Sequence, residues 1–281
     1  MKRDPETRRR LAAFWDSSRD YYAQAAAANP EASPERRLLL GFLQPGQRVL
    51  DLGCGSCENA LWLPPGTRYV GSDVATAGLA LAAERRRPGA RVRGDGERLP
   101  FRDGSFDAVL STYALEHFHE PGRTLLEAAR VLRPGGLLLL VGSAWDLPYE
   151  MPPSLPPRRR LEVAARRLGR QLRSLLDGRH RFDLVESPRV LTEGYVPDAD
   201  AVHVAQSWLL ARFLRAAGLE VLEHRSLPHR PEPGGLRHLP RALLRRALRA
   251  VPLWRRAWGN TLLVARRGTS LREPAYELLP L

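Results

Sequence analysis

The chain has 281 residues, of which 43% are hydrophobic and 27% are charged, and its formal net charge at pH 7 is +13. These values are typical of a folded globular protein and exclude wholesale disorder. No apolar run approaches the ~20 residues that span a bilayer, and residues 1–10 are too charged for a secretory signal peptide. We therefore expect a cytoplasmic protein, either free or held peripherally on the inner face of the membrane.

The positive charge is distributed unevenly along the chain. Residues 1–150 contain 20 Lys and Arg against 19 Asp and Glu, whereas residues 151–281 contain 24 against 12. All but one of the basic residues are Arg, so codon composition explains the excess as well as function does. A basic half also attracts anionic small molecules, membranes or nucleic acid through its long-range field. Both interpretations stay open.

Helical patterns precede the first predicted strand. Residues 6–28 form one or two amphipathic helices that end at Asn29-Pro30, and residues 34–43 form another. The pattern alone does not distinguish helices that cover a binding site from ordinary helices packed on a sheet.

The first strand pattern runs into a glycine-rich turn. Residues 49–58 read VLDLGCGSCE, in which a buried strand is followed by Gly53 and Gly55. Open α/β sheets bind ligands at the carboxyl ends of their strands, and glycine lets the backbone approach a ligand closely. Nicotinamide folds and plain tight turns also contain such glycines. The turn therefore predicts a nucleotide-type ligand site without naming the ligand.

Further strand and helix patterns alternate after this turn. The predicted strands are 48–52, 69–73, 91–94, 108–112, 137–142, 220–224 and 261–265. The predicted connecting helices are 58–63, 76–86, 122–132 and 205–217. Alternation of strand and helix favours a parallel sheet with helices on both faces.

The order and spacing of these segments resemble the class I S-adenosylmethionine (SAM)-dependent methyltransferases, in the broad small-molecule group that includes the ubiquinone and menaquinone biosynthesis enzymes. The resemblance covers residues 38–144, and 94–141 is similar to that group almost word for word. It implies an α/β, Rossmann-like fold with a seven-stranded, mostly parallel sheet and an antiparallel edge. It also implies SAM as cofactor and methyl transfer to an O, N or C atom of a small molecule, with lipid- or sugar-linked acceptors included.

The resemblance further implies which residues hold the cofactor. The matching positions are Asp51, Gly53, Cys54, Gly55, Asp73, Asp95, Gly96 and Thr112. In this scheme Asp51 and the glycine turn take the amino acid end of SAM, Asp73 takes the ribose hydroxyls, and Asp95 with Gly96 takes the adenine.

The chain has two cysteines, Cys54 and Cys57, and their C-x-x-C spacing is compatible with a redox or zinc role. Structural zinc needs two more Cys or His ligands at suitable spacing, so we expect no metal site. Chemistry that uses a cysteine nucleophile outside this turn is excluded. Cys57 also stands where the family commonly has a third glycine. Either this small residue is tolerated at a helix start, or it crowds the methionine part of SAM and lowers the affinity for the cofactor; both interpretations stay open.

Two histidines are candidate catalytic residues. His117 and His119 follow the fourth predicted strand, and an imidazole that titrates near neutral pH suits removal of a proton from a hydroxyl or amine. The resemblance leaves a structural role for His117 open, because the matching residue often lies beside the cofactor. Glu116 is interpreted as a helix-end or hydrogen-bonding group.

We divide the chain into four parts on these grounds. Residues 1–44 are an N-terminal helical cap over the cofactor, and residues 45–144 are the SAM-binding core. Residues 145–203 are a proline-rich and then helical insertion, which is either a substrate lid or a surface excursion. Residues 204–281 complete the core.

The last part contains a basic amphipathic helical insertion at 228–260. Its arginines and leucines fall on separate helical faces, and tryptophans follow, so residues 239–258 either contact a membrane surface or pack on their own domain.

Three alternatives to a small-molecule methyltransferase stay open. An RNA-directed methyltransferase would use the basic half as its footprint, but Ser111 to Ala114 lacks the Asn/Asp-Pro-Pro-aromatic tetrad, so nucleic acid is disfavoured. A nicotinamide-dependent oxidoreductase shares the first turn, yet does not account for Asp95. A catalytically silent SAM-binding partner protein is supported only by Cys57. The sequence does not predict the oligomeric state.

Overall fold

A computed structural model of the chain describes residues 5–28, 34–143, 145–185, 198–204, 206–227 and 260–281, together with residues 188, 196, 247, 251 and 254. The helices are α1 (Pro5–Ser17), α2 (Arg19–Ala28), α3 (Pro34–Leu40), α4 (Thr76–Glu84), α5 (Pro121–Val131), α6 (Arg160–Asp177) and α7 (Ser207–Ala216). The strands are β1 (Arg48–Leu52), β2 (Arg68–Asp73), β3 (Ala90–Arg93), β4 (Phe106–Thr112), β5 (Leu132–Ser143), β6 (His180–Leu184), β7 (His203–Val204), β8 (Leu219–Leu227), β9 (Asn260–Arg267) and β10 (Tyr276–Pro280).

The main sheet has seven strands in the order β3-β2-β1-β4-β5-β9-β8. The strands from β3 to β5 are parallel, whereas β9 is antiparallel to both β5 and β8. This arrangement confirms the predicted Rossmann-like sheet with an antiparallel edge. The sheet starts at the central strand β1 and grows outward through β2 to β3. The chain then returns to the centre and forms β4 on the other side of β1. The carboxyl ends of β1 and β4 therefore flank the switch point at which such sheets bind ligands.

The central strands are buried on both faces. Val49 packs in one apolar cluster with Leu39 and Leu40 of α3, whereas the next residue, Leu50, packs in another with Leu125 of α5. Successive side chains of a strand point to opposite faces. Both faces are thus covered, as near-continuous apolar strands require.

Two predicted boundaries were wrong. The helix predicted over 58–63 is a single 3₁₀ turn, Glu58–Leu61, because the left-handed backbone at Cys57 precedes it and Pro64 follows soon after. Strand β5 begins at Leu132 and not at 137, since Phe106 of β4 already pairs with Leu132 before the register shifts.

A second sheet, with the order β10-β6-β7, was not predicted. Strand β6 is parallel to β10 and antiparallel to β7. These strands have two to five residues each and come from distant parts of the chain. Such short segments carry little periodic pattern of their own. The second sheet joins the insertion after β5 to the segment that follows β9.

The predicted basic helix over 239–258 lies almost wholly outside the described residues. Among the helices that are described, none is long and apolar enough to cross a membrane.

Candidate functional site

A cavity of about 630 Å³ opens at the carboxyl edge of the main sheet, within the range of roughly 300–1,000 Å³ that small-molecule sites occupy. Residues at the carboxyl ends of β1 to β5, or shortly after them, line one side of the cavity: Leu52, Gly53, Cys54, Gly55, Ser72, Asp73, Val74, Gly94, Gly96, Thr112, Tyr113, Ala114 and Ser143. Helices α1 and α2 contribute Trp15, Tyr21, Tyr22, Ala25 and Ala26, and the insertion contributes Trp145, Tyr149, Glu150, Met151, Arg160 and Asp198.

Six of the predicted cofactor residues line this cavity, namely Gly53, Cys54, Gly55, Asp73, Gly96 and Thr112. Asp51 lies beneath the glycine turn and is fully buried. Its carboxylate accepts hydrogen bonds from Asn59 Nδ2 and, at 2.8 Å, from the Tyr69 hydroxyl. Burial raises the pKa of Asp51 to about 6. Asp95 is exposed, and its Oδ1 accepts a hydrogen bond from the backbone N–H of Glu97 at 2.9 Å.

The glycine turn depends on left-handed backbone at three alternate residues. The φ angles are +72° at Gly53, +50° at Gly55 and +56° at Cys57. A Cβ on Gly53 would lie 2.5 Å from the Cβ of Ala114, so only glycine fits there. Cys57 adopts the conformation that a third glycine would take without strain.

The two thiols lie together behind this turn. The Sγ atoms of Cys54 and Cys57 are 3.6 Å apart, and both cysteines are free and buried. A Cβ on Gly71 of β2 would lie 2.8 Å from Cys54 Sγ and 2.9 Å from Cys57 Sγ. Glycine on the neighbouring strand therefore provides the space for the thiol pair.

Asp73 ends β2 and joins it to the glycine turn. Its Oδ2 accepts a hydrogen bond from the backbone N–H of Gly55 at 2.8 Å, and its Oδ1 accepts one from Ala75 at 2.9 Å. Burial raises the pKa of Asp73, while these two N–H donors oppose the shift. Each carboxylate oxygen accepts about two hydrogen bonds. The backbone N–H of Val74 also interacts with this carboxylate. Three donors leave the group with capacity to accept a bond from a ligand.

Asn59 is a residue of the cavity that the sequence analysis missed. Its Nδ2 donates to Thr112 Oγ1 at 2.9 Å as well as to Asp51. Its buried Oδ1 has no hydrogen-bond partner among the residues that the structure describes. An unsatisfied acceptor at a cavity wall suits a ligand donor. No local sequence pattern distinguishes this asparagine.

A buried acidic pair also lines the cavity. Glu116 follows β4, and its backbone oxygen accepts a hydrogen bond from Val202 N–H at 2.8 Å. Its carboxyl group interacts with Asp198, whose Oδ2 accepts a hydrogen bond from Ser143 Oγ at 2.9 Å. Burial raises the pKa of Glu116 to about 7 and also raises that of Asp198. Within the described part of the chain, Glu116 Oε1 has no hydrogen-bond partner.

The two predicted histidines occupy different environments. His117 lines the cavity, and its Nδ1 lies 3.6 Å from Asp200 Oδ2, which also accepts a 2.8 Å hydrogen bond from Trp15 Nε1. Burial lowers the pKa of His117, but the charges of Asp200 and Glu116 outweigh it and raise the pKa overall. His119 does not line the cavity, and its ring centroid lies 6.2 Å from that of Trp15.

The chain from Trp145 to Glu150 forms the outer wall and is held by α6. Arg167 is fully buried and donates hydrogen bonds to the backbone oxygens of Trp145, Leu147, Pro148 and Glu150. It also forms an ion pair with Asp183 at 3.2 Å. The polar face of α6 therefore fixes this wall.

The fold and the site together define a class of protein. The architecture expected of a class I methyltransferase is a seven-stranded sheet with a cavity at its switch point. A glycine turn and an acidic residue at the end of β2 line that cavity, as they do in this chain. Residues 50–140 match the family model described as "Methyltransferase domain". Over this stretch the chain is therefore similar to methyltransferase domains, and the fold is that of the class I enzymes.

Curated relatives match the same region. The chain is 41% identical over 96 residues to "Demethylmenaquinone methyltransferase" of Corynebacterium glutamicum (strain R), which covers 34% of this chain and 41% of that protein. It is 45% identical over 100 residues to "Phthiotriol/phenolphthiotriol dimycocerosates methyltransferase 1" of Mycobacterium ulcerans, which covers 34% of this chain and 36% of that protein. The chain thus spans about two fifths of the length of these relatives.

Solved structures match most of the chain at low sequence identity. A complex of the Haloferax volcanii Trm112 methyltransferase activator with a putative methyltransferase gives a TM-score of 0.57 at 20% identity, over 90% of this chain and 98% of that one. The [4+2]-cyclase SpnF gives a TM-score of 0.55 at 20% identity, over 92% and 96%. Because one of these is a cyclase, the likeness shows the fold alone.

Proposed function

We propose that the protein transfers a methyl group from SAM to a small molecule that loses a proton in the reaction. The observation that carries this proposal is one cavity that joins the Asp73 and glycine-turn site to the buried Glu116–Asp198 pair. The methyltransferase domain over residues 50–140 supports SAM as the cofactor.

The residues around the glycine turn fit SAM. Asp73 can accept from the two ribose hydroxyls, and the free acceptor Oδ1 of Asn59 suits the ammonium group of the amino acid end. Gly96 packs closely against Phe118, since a Cβ there would lie 2.5 Å from its ring, and we propose that the Gly96 backbone N–H binds the adenine. We propose that Asp51 acts from beneath by orienting Asn59. When bound, SAM supplies a methyl group that is already activated on a cationic sulfonium.

The protein's own contribution is alignment, exclusion of water and proton removal. Trp15, Tyr22 and Trp145 line the cavity and exclude water from it. Holding the methyl donor and the acceptor in line lowers the barrier, because the entropy cost of bringing them together is met on binding. The acceptor's proton passes to Glu116, whose pKa of about 7 leaves a large fraction ionised near neutral pH. The positive charge of His117 stabilises the Glu116 carboxylate, so we assign His117 a positioning role.

The acceptor side of the cavity combines apolar and aromatic side chains with charged ones. Trp145, Tyr149 and Met151 line it beside Glu150 and Arg160. The names of two relatives give demethylmenaquinone and phthiotriol/phenolphthiotriol dimycocerosates as substrates. We therefore propose an apolar, ring- or lipid-linked acceptor with an ionisable hydroxyl group or acidic C–H.

We also propose the division of the chain into cap, core and lid. Residues of α1 and α2 form one wall of the cavity, and Arg8 of α1 forms an ion pair with Glu97 after β3 at 3.0 Å. The insertion from residue 145 forms the opposite wall. These positions support a cap at 1–44, a core at 45–144, a substrate lid at 145–203 and completion of the core at 204–281.

Calorimetric titration with S-adenosylhomocysteine tests the cofactor site. We expect micromolar binding by the wild-type chain and at least about tenfold weaker binding by Asp73→Ala, because a charged hydrogen bond contributes roughly 1.5–3 kcal/mol. Asp103→Ala is the matched control, since Asp103 is exposed and pairs with Arg130. Equal affinity of Asp73→Ala and Asp103→Ala, or no binding by the wild-type chain, would overturn the proposal.

A further inference from the structure

Helix α6 is oriented with its leucines toward solvent. Its buried side chains are Val163, Arg167, Gln171 and Ser174, three of which are polar. By contrast, Leu161 and Leu176 are each 87% exposed, and Leu172 and Leu175 are each 49% exposed. A surface helix of a globular protein normally places its apolar stripe against the core. In α6 this arrangement is inverted.

The exposed leucines form one continuous surface. At 100° per residue, Leu161, Leu172, Leu175 and Leu176 fall within a sector of roughly 100° and extend over about 22 Å. Exposed Ala165 and half-buried Leu168 lie between them in the same sector. We call these six residues the leucine stripe.

The leucine stripe cannot turn inward without breaking the wall of the cavity. Arg167 donates to backbone oxygens of the segment 145–150, and Gln171 Nε2 donates to the backbone oxygen of Asp146 at 2.8 Å. These buried hydrogen bonds fix the rotation of α6 about its axis. The apolar surface is therefore a built feature of the fold, and contiguous exposed apolar patches mark interaction sites.

The charges around the leucine stripe indicate what covers it. Arg158 and Arg173 are exposed on or just before α6. The exposed acids Glu162 and Asp177 are each paired with an arginine, Arg166 and Arg181 respectively. Leucines on one face with flanking arginines are typical of helices that lie in the headgroup region of an anionic membrane. A second copy of the chain would bring the same positive charges together.

We propose that α6 binds the surface of an anionic lipid bilayer through the leucine stripe. The leucine stripe also begins directly after a residue of the cavity wall. Arg160, the first residue of α6, and Tyr149, which is 44% exposed, both line the cavity, and Leu161 follows Arg160 directly. A bilayer that contacts the leucine stripe would thus meet the acceptor side of the cavity. The lipid contact itself does not depend on methyl transfer.

Sedimentation with vesicles tests this proposal on the full chain. We expect binding to phosphatidylcholine vesicles that contain phosphatidylglycerol, weaker binding to phosphatidylcholine alone, and weakening with salt. Leu161→Ser/Leu172→Ser/Leu176→Ser should reduce binding about tenfold or more. The matched control is Leu38→Ser/Leu61→Ser/Trp62→Ser, which removes three apolar side chains that are 43% to 48% exposed on other elements.

Thermal unfolding and sedimentation velocity of the same variants distinguish a bilayer from two other groups that could cover the leucine stripe, namely a second copy of the chain and the chain's own residues. We expect the leucine-stripe variant to keep the melting temperature and the monomer or oligomer state of the wild-type chain. Equal vesicle binding by both triple variants, or none by the wild type, would overturn the proposal. So would a dimer that the stripe variant dissociates, which would assign the surface to a second copy. A large fall in melting temperature would assign it to the chain's own residues and would also overturn the proposal.

Discussion

At the residue scale, the proposed proton acceptor Glu116 makes methyl transfer depend on pH. Its pKa is raised by burial to about 7, and only its ionised form can accept a proton. We expect kcat/KM to rise with pH and to level off above about 7. Glu116→Gln should remove this rise and lower kcat about 100-fold or more. The control is Glu84→Gln, since Glu84 is exposed and pairs with Arg19. An unchanged pH profile in Glu116→Gln would assign the proton to another group.

The raised pKa of Glu116 also predicts how the stability of the protein depends on pH. An unfolded glutamate titrates near about 4.3, so the folded chain binds more protons than the unfolded chain up to about pH 7. The contribution of Glu116 to the free energy of unfolding is therefore fully present below about pH 4 and is lost as pH rises through 7. Glu116→Gln should be more stable than the wild type at pH 8, measured by urea unfolding. A variant that is inactive and also less stable at pH 8 would contradict this.

Single residues also show where sequence reasoning succeeds and fails. Gly53 and Asp73 could be placed because each follows a strand of a parallel sheet, whose carboxyl ends meet at one edge. Asp51 was expected at the cavity, yet its side chain lies beneath the turn, since strand patterns alone do not fix where a buried carboxylate finds its donors. Asp198 and Asn260 line the cavity because the fold brings distant segments of the chain together. Such contacts leave no local sequence pattern.

At the element scale, α6 holds the outer wall of the cavity through one buried guanidinium. Each buried acceptor that loses its donor costs roughly 1–3 kcal/mol. We expect Arg167→Met to lower the free energy of unfolding by about 3 kcal/mol or more, because four backbone oxygens lose their donor, whereas Asp183 keeps its ion pair with Arg170 at 2.8 Å. Urea unfolding measures it.

The neighbouring Arg166 provides the control for this substitution. It is exposed and pairs with Glu162 one turn away, and such surface pairs contribute about 0–1 kcal/mol. Arg166→Met should therefore unfold at nearly the wild-type urea concentration. Similar losses in both variants would show that Arg167 does not hold the wall.

At the scale of the whole molecule, the second sheet fastens the insertion to the segment after β9. Tyr276 of β10 donates to Glu120 Oε2 at 2.9 Å, and its ring packs edge-on against Phe182 of β6. Deletion of residues 274–281 should abolish hydrogen-exchange protection in β6 and leave β1 and β4 protected, because the main sheet does not include β10. Tyr276→Phe, which keeps the ring and loses only the hydroxyl, should retain protection in β6. Loss of protection in β1 upon deletion would show that the two sheets fold as one unit.

The overall architecture was predictable because β1, β4, β9 and the second half of β5 are apolar and buried along most of their length, and because the elements follow one another in a regular strand and helix pattern up to β5. The second sheet was not, since β6, β7 and β10 are short and mixed in polarity. Sequence patterning thus recovers the glycine-turn side of the cavity better than the wall formed by the insertion, which depends on contacts between distant segments.

The position of β10 in the chain has a consequence for biosynthesis. A ribosome that has translated residues 1–270 has already produced every strand of the main sheet, while β6 still lacks its parallel neighbour. We therefore expect the nascent chain to form its nucleotide-binding half first and to close the acceptor side only when residues 276–280 have emerged. Under the proposed function, the growing protein would meet SAM during that interval before the wall on the acceptor side is in place.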